Sequence, residues 1–152
     1  MPMTDYQSSR RAIFAMAGAC VVTLAVPRMA WADAAAEAEM AKILAGRTPK
    51  DGGIKLDIPS IAENGLVVPL TVEAESPMTD ADHIKAIHVF ADGNPNPLVA
   101  SFLFTPAAGK AAASTRIRLA QTQNVVVFAE TSGGEIRKAS AEVKVTIGGC
   151  GG

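Results

Sequence analysis

The sequence predicts an all-β fold, an immunoglobulin-like β-sandwich of about seven strands preceded by one short N-terminal helix. Three observations carry this. From residue 54 onward apolar residues recur at alternate positions, the period of a strand with one buried face. Turn-forming clusters separate the apolar runs at roughly 8–12-residue spacing, the rhythm of a sandwich. No strand–helix–strand alternation supports a parallel sheet.

Taken in order, Asp33 to Ala45 reads as the helix: it is alanine-rich, carries Glu37 and Glu39 early, places Met40, Ile43 and Leu44 on one side, and meets Gly46 as a stop. Ile54, Leu56 and Ile58 then alternate with Lys55 and Asp57. Val68, Leu70, Val72 and Ala74 alternate with Pro69, Thr71, Glu73 and Glu75, and Pro69 predicts an edge strand because it has no N–H for a ladder. Ile84 to Ala91 is apolar on both parities except at Lys85 and His88, which suits a buried inner strand. Asp92 to Pro97 is a dense turn signal, followed by a strand over Leu98 to Thr105. Thr115, Ile117 and Leu119 alternate with Arg116 and Arg118, and Val125 to Phe128 is a further apolar run. Ser132-Gly133-Gly134-Glu135 predicts a hairpin turn before Ala141, Val143, Val145 and Ile147. The core cysteine pair and core Trp of a true immunoglobulin domain are missing.

The composition bounds the function. The 152 residues suit one domain, and 49% hydrophobic against 19% charged residues allow a packed core. A net charge of −1 gives no basic excess for nucleic acid or anionic lipid. The two cysteines are too few for a disulfide framework or a four-ligand zinc site.

Residues 1–32 read as an export leader. Ser9-Arg10-Arg11-Ala12-Ile13-Phe14 is a twin-arginine start, Ala12 to Val26 is a mostly apolar run, and Ala30-Trp31-Ala32 is a small-x-small cleavage site. The 15-residue run is too short to span a bilayer. A membrane anchor is the bland alternative, but no stop-transfer pattern follows; lipidation at Cys20 is another, with only a short apolar stretch before it. The expectation is export of a folded protein to the periplasm by the twin-arginine route. Cleavage after Ala32 removes three Arg and one Asp, leaving 120 residues of net charge −3, with Cys150 as the single cysteine. Residues 33–147 then form the β-sandwich domain with its N-terminal helix.

Residues 148–152, Gly148-Gly149-Cys150-Gly151-Gly152, carry the chemical content. Four glycines around one cysteine remove every side chain but the thiol, and glycine loses the most backbone entropy on ordering. The segment is expected to be a flexible arm, at most about 17 Å long when extended. A thread without Cβ atoms fits a narrow channel, so a group held on Cys150 can be presented to several enzymes in turn. Tethering raises the local concentration of that group once the carrier docks. No Lys, Arg or His lies beside Cys150 in sequence. Near its reference pKa of about 8.5 the thiol is only a few per cent ionised at neutral pH, which suits a carrier activated by its partners better than an enzyme. The bland alternative is a mobile tail that happens to hold a thiol.

The ending Val145-Thr146-Ile147-Gly148-Gly149-Cys150-Gly151-Gly152 resembles the carrier arm of the SoxY family, the sulfur-carrying subunits of the bacterial thiosulfate-oxidising system. The twin-arginine leader, the short helix, the stretch Ile58 to Gly65 and the later strands are also similar to that family. The resemblance implies an immunoglobulin-like sandwich paired with a separate, leaderless SoxZ-like β-protein, since the mature length leaves no room for a fused one. It implies covalent sulfur attachment at Cys150, with Gly148, Gly149, Gly151 and Gly152 as the arm. A haem cytochrome would join thiosulfate to Cys150, a manganese hydrolase would release sulfate, and a sulfur dehydrogenase, where present, would oxidise the remaining sulfane sulfur. The carrier itself would hold no metal or cofactor and would be no enzyme.

Other residues give weaker signals. His83 and His88 are five apart, which on one strand places them on opposite faces, away from a shared metal. Asp80 and Asp82 lack further oxygen donors for a cation. Arg116 and Arg118 share a strand face that reads as solvated, with an acidic partner as the alternative. Three rival readings remain: an exported β-sandwich binding module whose thiol is no carrier, a ubiquitin-like carrier using the Gly152 carboxylate, and a thiol enzyme, which would lack an orienting base.

Overall fold

The computed structural model describes residues 28–146. They form helix α1 (Arg28–Leu44) and strands β1 (Lys50–Asp51), β2 (Ile54–Asp57), β3 (Ile61–Ala62), β4 (Val68–Ala74), β5 (Ile84–Ala91), β6 (Leu98–Leu103), β7 (Ala111–Ile117), β8 (Gln123–Thr131) and β9 (Ile136–Val145). One sheet runs β1–β9–β8–β5–β6, with β3 also on β9; the other runs β2–β4–β7. The all-β sandwich expected from the sequence is therefore present. It has nine strands instead of about seven, because β1 and β3 are two-residue strands that pair parallel to β9. Two residues are too few to show an alternation.

Alternation translates directly into burial. In β4 Val68, Leu70, Val72 and Ala74 face the opposing sheet while Pro69 and Thr71 are exposed. They meet Ile84, Ile87 and Val89 of β5, Val125 and Val127 of β8, and Val143 of β9 in one core. Each of the Val, Leu and Ile side chains stabilises the fold by about 1.5–3 kcal/mol when fully buried.

The strands that read as apolar on both parities have both faces covered. Phe90 of β5 with Val126 and Phe128 of β8 point away from the main core and pack with Ile136 under Met40, Ile43 and Leu44 of α1. The rings of Phe90 and Phe128 meet edge to face at 5.8 Å between centroids. Arg47 fastens this layer. Its guanidinium donates to the carbonyls of Ile43 (2.8 Å), Leu44 (3.0 Å) and Gly134 (3.1 Å) and to Glu130 Oε1 (2.8 Å). It thereby ties the helix end, the β8–β9 turn and β8 together.

Several boundaries differ from expectation. The helix begins at Arg28 and runs across the expected cleavage point at Ala32; it stops at the left-handed pair Ala45 (φ 47) and Gly46 (φ 78). Pro69 lies in the central strand of its sheet, not at an edge. Pairing of β2 with β4 stops at Asp57–Thr71, so Pro69 faces a partner, Arg116, only on the β7 side. The missing N–H is harmless where no third strand reaches. β7 begins at Ala111, earlier than the Thr115 expected, and ends before Arg118, so Arg116 and Arg118 do not share one strand; both are exposed. β9 starts at Ile136 instead of Ala141, because the β8–β9 turn closes at once. Thr131 N–H donates to the Glu135 carbonyl at 2.9 Å, and Gly134 takes φ 85, the left-handed conformation that a tight hairpin needs.

The Asp92–Pro97 turn is anchored by Asn94, which is buried. Its amide donates to the Arg118 carbonyl (2.8 Å) and accepts from Ala120 N–H and Gln123 Nε2 (both 2.9 Å). A buried amide satisfied on both ends joins the loops at one end of the two sheets.

Candidate functional site

The predicted attachment residue Cys150 and its neighbours Gly148, Gly149, Gly151 and Gly152 lie outside the described residues. What is described is the root from which that segment departs. β9 is the longest strand, with β8 on one flank and β1 and β3 on the other. Val143, near its end, is fully buried.

The last two described residues are held from both sides. Val145 N–H donates to Thr122 Oγ1 at 2.9 Å, from the loop before β8. Thr146 N–H donates to the Ala62 carbonyl at 3.0 Å, and its hydroxyl to the Glu63 carbonyl at 3.1 Å. Lys144 N–H donates to the Ser60 carbonyl at 2.9 Å. The alternating sides are those of a strand continuing its ladder to Thr146. Anything attached to residue 150 therefore starts from a fixed point four positions earlier.

The stretch that holds the root exposes three large apolar side chains among the polar Ser60, Glu63 and Asn64. Ile61 is 59% exposed, Leu66 42% and Val67 56%. The stretch is itself tied down: Leu119 N–H donates to the Gly65 carbonyl at 2.7 Å, and Leu66 N–H to Asn64 Oδ1 at 2.9 Å. On the Thr122 side lies a shallow polar recess of about 210 Å³, lined in part by Asp92, Gln123, Asn124 and Glu142.

No described histidine is placed to act on a group at residue 150. His88 sits on β5 opposite Phe128 of β8, which faces Lys138 of β9. Lys138 is seven residues before Val145, about 24 Å along a strand. Four residues beyond Thr146 reach at most about 14 Å. His83 precedes β5 and hydrogen-bonds the Thr79 carbonyl through Nδ1 at 3.1 Å. His88 Nδ1 instead pairs with Ser101 Oγ at 2.8 Å. The two imidazoles thus have separate partners, and among the described residues no three His, Cys, Asp or Glu side chains gather as a metal site. Burial pulls the His88 pKa below its ordinary value, opposed by the negative Glu130. Glu130 is held below the usual carboxylate range, chiefly by its hydrogen bond from Arg47. Both perturbations belong to the helix-covered face, not to the root.

The family model described as sulfur oxidation protein SoxY matches residues 40–150 of this sequence. The chain belongs to the SoxY family. Its fold superposes on the sulfur carrier protein SoxY from Chlorobium limicola f thiosulfatophilum with a TM-score of 0.61 and 36% identity, covering 75% of this chain and 98% of that one. The matched span of the family model reaches Cys150 itself. A superoxide reductase (neelaredoxin) from Ignicoccus hospitalis is similar at TM-score 0.55 and 17% identity, covering 67% of this chain and 85% of that one. At that identity it shows a shared sandwich fold and nothing about chemistry. None of the curated proteins matches the chain.

Sequence reasoning had no hold on the apolar stretch at the root. The signal was present in Ile61 and in Leu66-Val67 beside Gly65. Local period does not reveal it, because β3 pairs with a strand more than eighty residues away (Ile61 with Lys144).

Proposed function

We propose that the chain is a periplasmic sulfur carrier in thiosulfate oxidation, a substrate-bearing protein and not itself an enzyme. The observation that carries the reading is the SoxY family match running through to Cys150, the one cysteine downstream of the leader. Sulfur intermediates are held covalently on that thiol. Gly148, Gly149, Gly151 and Gly152 leave it sterically bare, so that it can enter a partner's channel. The root geometry supports a carrier: the arm has a fixed origin, and no described histidine is within its reach to serve as base.

On this reading a haem cytochrome couples thiosulfate to the thiol, removing two electrons as the sulfur–sulfur bond forms. A manganese hydrolase then releases sulfate, and a sulfur dehydrogenase, where present, oxidises the sulfane sulfur left behind. Metal and haem belong to those partners. A SoxZ-like β-protein is the heterodimer partner, and the twin-arginine leader of residues 1–32 exports the folded pair. The test is intact-mass analysis after incubation with thiosulfate and the coupling cytochrome: the wild-type chain gains the adduct and Cys150→Ala does not. An adduct that persists on the alanine variant would refute the assignment.

A further inference from the structure

We propose that Ile61, Leu66 and Val67 form an apolar docking rim around the arm's root, and that the rim seats against an apolar lip at the mouth of the catalyst channel that receives Cys150. The inference rests on the carrier reading and adds where, and by what chemistry, the body of the carrier is recognised.

The tether sets the first constraint. Cys150 is four residues past Thr146, whose N–H is pinned to the Ala62 carbonyl. Four residues span at most about 14 Å. The mouth of any channel that receives the thiol therefore lies within that reach of Thr146, and each ångström of channel depth brings it closer to the surface around the root.

That surface is where apolar exposure concentrates. The large hydrophobic side chains exposed among the described residues are Ile61, Leu66, Val67, Leu98 and Leu103. Three of the five fall in the short stretch that holds the root. Leu103, the most exposed at 82%, lies at the opposite end of the sheet. It pairs with Ala86, then Glu130, then Ile136 at the start of β9, nine residues before Val145.

The rim is also preorganised. Backbone bonds from Lys144, Thr146 and Leu119 fix Ser60, Ala62 and Gly65, so little backbone freedom is lost on docking. Apolar contact is non-directional. A small apolar rim can therefore serve successive catalysts whose active sites differ, while three side chains alone keep each visit brief.

The test follows loading of the carrier, with its partner subunit, by the thiosulfate-coupling cytochrome over a range of carrier concentrations. Ile61→Glu/Val67→Glu is expected to raise KM for the carrier about tenfold or more with kcat unchanged. The milder Ile61→Thr/Val67→Thr keeps β-branching and should raise KM less, which guards against a folding artefact. Leu103→Glu should leave KM unchanged. Reaction of Cys150 with a small aromatic disulfide should be the same in every variant. A Cys150→Ala chain should inhibit loading competitively, and adding the two glutamates should weaken that inhibition by the same factor.

The inference is overturned if the rim variants load with wild-type KM, if Leu103→Glu behaves as they do, or if they lose the partner subunit on size exclusion, which would make the rim the subunit interface. If the wild-type chain takes no adduct at all, the carrier reading fails and the rim falls with it; if it loads normally and the rim variants do too, the rim alone is wrong.

Discussion

Phe128→Ala separates the part of this molecule that keeps it folded from the part that carries cargo. Phe128 is almost fully buried, packs edge to face on Phe90, and lies with Val126 and Ile136 under Met40, Ile43 and Leu44. Removing a buried phenyl ring costs about 3–5 kcal/mol through lost transfer energy and the cavity left behind. The aromatic pair contributes about 0.5–1.5 kcal/mol of that. A loss near 4 kcal/mol is large against a total domain stability of roughly 5–15 kcal/mol. At about 3–5 °C per kcal/mol for a domain of this size, the melting temperature should fall by roughly 12–20 °C. Thermal unfolding followed by far-UV circular dichroism gives the shift. Phe128 faces Lys138, seven residues short of the root at Val145. Loading of Cys150, measured well below the lowered melting point, should therefore match wild type. A melting shift below about 5 °C, or a fivefold loss of loading in the folded variant, would refute the division into a stabilising face and a delivering root.

Arg47→Ala should lower stability by about 2 kcal/mol, because it removes at once the guanidinium's bonds to Glu130 and to the carbonyls of Ile43, Leu44 and Gly134; chemical denaturation measures this, and a change under 0.5 kcal/mol would contradict the clamp. Asn94→Ala should cost about 1–3 kcal/mol by stranding Ala120 N–H and the Arg118 carbonyl; the same melts decide it, and Asn94→Asp should not rescue, since a carboxylate cannot donate to Arg118. Stability should fall in two steps on acidification. His88 has a depressed folded-state pKa, so the unfolded chain binds more protons as pH drops through about 6.5, and stability falls there. Glu130 is depressed by Arg47, so its contribution is full above its ordinary value and is lost as pH falls through its lower folded-state one. His88→Gln should erase the upper step and Glu130→Gln should shrink the lower one, to which Glu135, held down by Lys50 and Arg137, also contributes; a flat wild-type profile between pH 7.5 and 5.5 would contradict the first.

Residues whose burial follows from local period were readable in the sequence. The alternation of Val68, Leu70 and Val72, the two-faced apolar runs of β5 and β8, and the turns at Asp92 and Ser132 all appear where expected. What local period cannot show is pairing at a distance. β1 and β3 exist only because β9 offers them a flank, and Pro69 is central only because β2 stops at Asp57. The polar start of β9, Arg137, Lys138 and Ser140, reads as loop until the hairpin pairs it with β8. The chemical residue itself is conspicuous because a cysteine between two pairs of glycines follows no strand or helix period. The rim at its root was hidden, since exposure is a property of the folded surface and not of a tripeptide.

The central claim is that one thiol, Cys150, holds the sulfur. The most direct measurement is peptide mapping by mass spectrometry of protein taken from cells grown on thiosulfate. The account predicts that peptides ending in Gly148-Gly149-Cys150-Gly151-Gly152 carry thiosulfonate or sulfane adducts and that no other peptide does. Unmodified thiol throughout, or sulfur on any other residue, would contradict it.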